Sequence, residues 1–156
     1  MNLHIIAVGT KMPKWVSQAW QDYAQRLPAE YSVHLKEVRP EARTTGKTVE
    51  QMMQAEAQRI TAALPERCWL VILDEHGKDL RTTQLKDRLV HWREHTSDVA
   101  IVIGGPDGLD AALKAQAQEK IRLSSLTLPH PMVRIVLIEQ LYRVWSLLVG
   151  HPYHRS

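Results

Sequence analysis

The chain has 156 residues, enough for one domain that buries about 70% of its unfolded surface. Hydrophobic residues at 44%, charged residues at 24%, 7 Gly and 8 Pro exclude the disordered, collagenous and coiled-coil classes. The net charge is only +3, but it is unevenly placed. Residues 1–121 balance 16 basic against 16 acidic side chains, whereas residues 122–156 hold Arg122, Arg134, Arg143 and Arg155 against Glu139. Three of the eight histidines, His130, His151 and His154, lie in the same stretch, so an anionic partner would be met by this end.

In chain order, short apolar runs at residues 3–8, 33–38, 68–73, 99–103 and, more weakly, 121–126 read as strands. Two of them are almost wholly apolar, the mark of strands covered on both faces of a parallel sheet. Helical segments alternate with them. The first runs over 14–27, with Trp15, Ala19, Tyr23 and Leu27 at i+4 spacing between Pro13 and Pro28. The second spans 48–64 behind the capping box Thr48-Val49-Glu50-Gln51. A third starts near Thr83 with the stripe Leu85, Leu89 and Trp92, a fourth spans 110–120, and a fifth runs from 132 to a C-cap at Gly150. Five alternations imply an α/β fold with a mostly parallel sheet, in one domain over 1–156.

The single Cys68 allows no internal disulfide and sits in an apolar run, where a thiol behaves as a small hydrophobe. The apolar start of the chain is too short for a secretory signal, and no stretch reaches the roughly 18 apolar residues of a membrane span. A cytoplasmic protein without membrane contact is expected.

Three segments could carry chemistry. Ile103-Gly104-Gly105-Pro106-Asp107-Gly108-Leu109 follows the most apolar strand and opens a helix, where open α/β sheets bind ligands. It lacks the spacing of a dinucleotide fingerprint, and Gly46-Lys47-Thr48 lacks the glycine a P-loop requires. The second segment is Leu123, Ser124, Ser125, Leu126, Thr127 and Leu128, followed by Pro129-His130-Pro131. Irregular backbone with spare donors and acceptors between leucines suits a purine ring, although a plain connection reads equally well. The third is the tail Gly150-His151-Pro152-Tyr153-His154-Arg155-Ser156. An aromatic ring can stack on a base, Arg155 can hold a phosphate and imidazole titrates in a useful range; a frayed terminus is the plain alternative.

His91-Trp92-Arg93-Glu94-His95 fits the inverzincin pattern, but Leu85, Leu89 and Trp92 already define a packing face and no further ligand is paired with it. No metal is expected. Ser124 and Ser125 lack a nucleophile elbow, so covalent catalysis has no support.

Taken together, several motifs resemble the ribosomal RNA large subunit methyltransferase H family over essentially the whole length. They are Ala7-Val8-Gly9-Thr10-Lys11, Leu73-Asp74-Glu75-His76-Gly77-Lys78, Ile103-Gly104-Gly105, Leu128-Pro129-His130-Pro131, Arg134, Glu139-Gln140-Leu141-Tyr142-Arg143 and Tyr153-His154-Arg155. Val144 departs from the small residue usual there. The resemblance implies a SPOUT-type enzyme that uses S-adenosyl-L-methionine to methylate N3 of a pseudouridine in 23S rRNA, on the assembled ribosome. It also implies a C-terminal trefoil knot, one of the exceptions to un-knotted folding, and a homodimer with the cofactor pocket beside the partner subunit. Carried over by motif, Leu73, Gly105 and Leu123 through Leu128 would hold the cofactor. His130, Arg143 and Arg155 would face RNA, and Tyr153 and His154 are candidates to assist proton removal. A non-catalytic RNA-binding or ribosome-associated module is the alternative, in which the glycine loop is only structural.

Overall fold

A computed structural model describes residues 1–44 and 46–154. Its first strand, β1 (Asn2–Val8), turns Leu3, Ile5 and Ala7 to one face and Ile6 and Val8 to the other. All five are buried, as the two-residue period of a doubly covered strand demands. The chain then alternates through α1 (Lys14–Ala24), β2 (Ser32–Val38), α2 (Val49–Ala63), β3 (Trp69–Asp79) and α3 (Thr82–His95). It continues with β4 (Asp98–Ile103), α4 (Ala111–Gln116), β5 (Glu119–Arg122) and α5 (His130–Val149). The strands form one parallel sheet in the order β2-β1-β4-β3-β5, an α/β fold as the alternation implied.

Two apolar layers hold it together. On one face Ile5, Val71 and Ile101 pack with Trp20 of α1, Leu89 and Trp92 of α3, and Leu137, Ile138 and Leu141 of α5. On the other, Ile6, Ile72 and Val102 pack with Ile60 of α2 and Leu113 of α4. Each such aliphatic side chain contributes about 1.5–3 kcal/mol on burial. The capping box of α2 is present: Thr48 Oγ1 accepts the Gln51 N–H at 3.1 Å, and Gln51 Oε1 accepts the Thr48 N–H at 2.9 Å. Gly150 caps α5 with φ of 71°, a left-handed conformation that glycine adopts without strain.

The structure corrects several boundaries, among them the first helix, expected over 14–27, which ends at Ala24. The helix expected over 110–120 stops at Gln116, and the strand expected over 121–126 is Glu119–Arg122. Pairing with β3 decides this: the Gln118 N–H donates to the Leu70 carbonyl at 2.9 Å, and Gln118 Oε1 accepts the Leu70 N–H at 2.6 Å. Long-range pairing outweighs the helix propensity of that stretch. The third strand runs past the expected Leu73 to Asp79, with a register break between Leu73 and Lys78, both of which align with Ile121. Gly77 makes this possible, because a Cβ there would come within 2.6 Å of the Ile121 backbone. Among the described residues, no helix is long and apolar enough to cross a membrane.

Candidate active site

The carboxyl side of the sheet opens onto a cleft of about 1040 Å3. Its walls come from Gly9 after β1, from Leu73 to His76 at the break in β3, from the glycine loop after β4 and from residues 122–128 after β5; His130 and Val133 of α5 close it. Ligands of parallel α/β sheets bind at this place because neighbouring connections diverge there and leave a crevice. Of the residues singled out in the sequence, Leu73, Gly105, Leu123, Ser124, Ser125, Leu126, Thr127, Leu128 and His130 all line this cleft.

The two loops are built differently. The glycine loop closes on itself through the Gly108 N–H, which donates to the Gly105 carbonyl at 3.0 Å. It is tied from behind: Arg43 bonds both Asp107, at 3.1 Å, and the buried Glu56, at 3.0 Å. A side chain at Gly105 would crowd its neighbours, since a Cβ would sit 3.1 Å from Glu56 Oε1 and 3.2 Å from Val8 Cγ1. By contrast, residues 123–128 belong to no helix or strand, and Leu126 is 76% exposed. A local bond from the Leu126 N–H to Ser124 Oγ, at 2.9 Å, shapes this loop. Arg122 anchors its start by pairing with Asp79 and donating to Ser125 Oγ. The Arg122 guanidinium holds the Asp79 carboxyl below its usual range.

Polar groups to which the sequence assigned no role also face the cleft. Asp74 and Glu75 bring carboxylates, and Lys114 of α4 pairs with Asp74 at 3.5 Å. Their signal was their place at the carboxyl end of an apolar run. Arg134 was noted only as part of a motif, yet it is 1% exposed and lies beneath the cleft. Its Nε donates to His130 Nε2 at 2.9 Å, Nη1 to Glu37 Oε2 at 2.7 Å and Nη2 to the Gly9 carbonyl at 2.8 Å. Burial, helped by the Arg134 charge, pushes His130 below the ordinary imidazole range.

The tail is elsewhere. The 20 residues of α5 span about 30 Å, with His130 at the cleft end and Gly150 at the other. Beyond the cap, the Tyr153 hydroxyl donates to Glu139 Oε1 at 3.2 Å, and its ring meets Tyr142 edge-on at 4.6 Å. Arg143 pairs with Glu139 at 2.6 Å and lies 5.2 Å from the Tyr153 ring. Burial, with Tyr23 and Glu139 beside it, raises the Tyr153 phenol well above its ordinary value, so it stays protonated at neutral pH. His154 Nδ1 is buried with no partner among the described residues. Arg143, Tyr153 and His154 are thus outside their own chain's cleft, and Arg155 lies outside the described residues.

The inverzincin pattern gathers no ligand set. His91 and His95 stack at 4.1 Å, and His95 Nδ1 bonds the His91 carbonyl. Among the described residues no group of three His, Cys, Asp or Glu is placed to hold a metal.

Comparison with known proteins agrees with this geometry. The chain is 59% identical over 156 residues to the ribosomal RNA large subunit methyltransferase H of Bordetella avium (strain 197N), and 55% identical to that of Leptothrix cholodnii (strain ATCC 51168 / LMG 8142 / SP-6). In both cases 100% of each chain is covered. The fold is similar to that of a probable methylase family protein from Haemophilus influenzae Rd KW20, with a TM-score of 0.57 at 14% identity, covering 99% of this chain and 70% of that one. A family model described as "Predicted SPOUT methyltransferase" matches residues 1–154, and with full-length relatives at this identity the chain belongs to the SPOUT methyltransferase family.

Proposed function

We propose that the protein uses S-adenosyl-L-methionine to methylate N3 of a pseudouridine in 23S rRNA, acting as a homodimer on the assembled ribosome. The observation that carries this reading is the cleft, where residues 123–128 leave peptide groups outside any helix or strand among Leu73, Leu123, Leu126 and Leu128. Such a wall fits an adenosyl group, whose edge takes N–H and C=O partners and whose faces take apolar contact. The volume of about 1040 Å3 stands at the upper end for small-molecule sites, which leaves room for a target base beside a cofactor.

Leu73, Gly105 and Leu123 through Leu128 would hold the cofactor, with His130 bracing the loop beside them. S-adenosyl-L-methionine supplies an electrophilic methyl group on a sulfonium. The chain's part is to align the acceptor nitrogen with that methyl group and to exclude water, and alignment alone supplies much of the acceleration. The acceptor nitrogen must lose a proton. Tyr153, a phenol that donates to Glu139, suits holding the base better than removing its proton, and His154 is the better candidate to assist. That Arg143, Tyr153 and His154 line no part of their own chain's cleft supports a composite site, in which Arg143 and the tail serve the partner subunit's cleft. A knotted C-terminal third is part of the same family reading.

Mass spectrometry of 23S rRNA from cells lacking and then regaining the protein tests substrate, position and reaction together. The expected result is one methyl group that disappears and returns on a single pseudouridine. Ribosomes that bind the protein with S-adenosyl-L-methionine yet gain no methyl group would favour a non-catalytic RNA-binding module.

A further inference from the structure

Arg134 is fully buried at the foot of the cleft, and its guanidinium points in three directions at once: to His130, to Glu37 and to the Gly9 carbonyl. An arginine only donates hydrogen bonds. The Nε2 atom of His130, 2.9 Å from Arg134 Nε, is therefore the accepting nitrogen, and the ring's single proton is on Nδ1. That Nδ1 lies 3.3 Å from the carbonyl of Gly104, the first residue of the glycine loop. Spaced by four residues on α5, the two side chains share a helix face and tie it to the ends of β1, β2 and β4. The turn after β1 closes tightly over them. A Cβ on Gly9, whose φ is +147°, would sit 2.9 Å from Met12 Cε and 3.3 Å from Arg134 Nη2.

We propose that Arg134 is a positioning residue that locks His130 in its neutral, Nδ1-protonated form, and that the locked ring holds the Gly104 carbonyl in the shape the cofactor cleft requires. The second half rests on the reading of the cleft as the cofactor site. His130 then acts on the loop beside it, a role distinct from the RNA contact implied by resemblance. The charged groups facing the ring are Arg134 on its own helix and Glu37 on β2, while β1 and β4 bring backbone and Met12. Protonating Nε2 would set two donors and two cations against each other, break the Arg134 bond and free the ring from Gly104. Cofactor affinity should therefore fall on acidification.

Two measurements test this. In the free protein, nitrogen-15 NMR of the His130 ring should show the Nδ1–H tautomer, still neutral below the ordinary imidazole value of about 6.5. In Arg134→Gln, with the neighbouring cation removed, the ring should titrate at higher pH; near-ultraviolet circular dichroism checks that this variant is folded. Calorimetry with S-adenosylhomocysteine as the probe, between about pH 5 and 8, should show affinity falling at least ~3-fold on the acid side in the wild type. That limb should move up in pH in Arg134→Gln and vanish in His130→Asn, whose amide can still donate to Gly104 but does not titrate. An Nε2–H tautomer, an ordinary titration in the wild type, or an unchanged acid limb in His130→Asn overturns the proposal. A wild type with the stated tautomer that binds no S-adenosylhomocysteine at any pH sinks the cofactor reading and leaves the lock standing.

Discussion

At Gly105 the space a side chain would need is taken from behind the loop, by Glu56 and Val8. The resemblance carried a cofactor contact over to this glycine, but the carboxylate behind it comes from α2 and no local pattern announces it. Gly105→Val should push the loop into the cleft, lowering S-adenosylhomocysteine affinity at least ~10-fold by calorimetry, with an overpacking cost to folding of about 1–3 kcal/mol. Near-wild-type affinity in a folded variant would contradict that placement. Glu119 shows the same dependence on distant partners. It accepts the indole N–H of Trp69 and of Trp92, each at 2.6 Å, and pairs with Arg88 at 2.7 Å. Burial pushes its carboxyl up, but Arg88 and the two indoles outweigh this and hold it below the usual range. Its folded-state pKa is depressed, so its contribution is present above the ordinary carboxylate value and is lost as pH falls through the folded value. Glu119→Ala should cost about 2–4 kcal/mol in urea unfolding at neutral pH, because it strands two indole donors and a guanidinium. The acid sensitivity of that variant should be weaker than the wild type's, and equal sensitivity would assign it to other groups.

Among the elements, those with strong local signals were legible: β1 and β4 from their apolar runs, α2 from its capping box and the end of α5 from Gly150. The stretch 110–120 was not, because its Ala, Lys and Gln residues favour helix, while Gln118 and Ile121 are drawn into the sheet by β3. The loop at 123–128 was legible only in part: its serines and the proline that follows mark irregular backbone, but 123–126 also read as the end of a weak strand. The tail could be read as a mixture of useful groups but not placed. Its position follows from the length of α5 and from a packed set of Tyr142, Tyr153, Arg143 and Glu139. Deleting residues 153–156 should therefore leave S-adenosylhomocysteine affinity within about 2-fold of wild type and cost about 1–2 kcal/mol of stability from the lost half-buried Tyr153 contact. Methyl transfer to ribosomes should be abolished. An equal loss of cofactor affinity would mean that the tail and the cleft are coupled through α5 rather than separate.

Charge counted along the chain suggested one basic working end, and folding changes what a partner meets. Among the described residues, each arginine of this segment has a carboxylate partner: Arg122 with Asp79, Arg134 with Glu37 and Arg143 with Glu139. Two of those carboxylates come from outside the segment, so much of its excess is neutralised in the folded molecule. Attraction of phosphates by net charge alone is then weak, which gives weight to the proposed assembly of the site from two chains. This makes the proposed dimer a matter of function: none of Arg143, Tyr153 and His154 lines its own chain's cleft, so in the composite reading the tail contributes to chemistry in another copy's cleft. Mixing two variants, at a cofactor concentration too low to fill the Gly105→Val cleft, separates the cases. Chains lacking residues 153–156 keep a sound cleft, while Gly105→Val chains keep a sound tail. If the tail acts across the dimer, each mixed dimer holds one complete site, and random exchange of equal amounts should restore about a quarter of wild-type methyl transfer. If the tail serves its own cleft, every site in the mixture lacks one part and no activity returns. Size-exclusion chromatography with differently tagged chains shows whether exchange took place, so continued inactivity in a mixture shown to contain mixed dimers would refute the composite site.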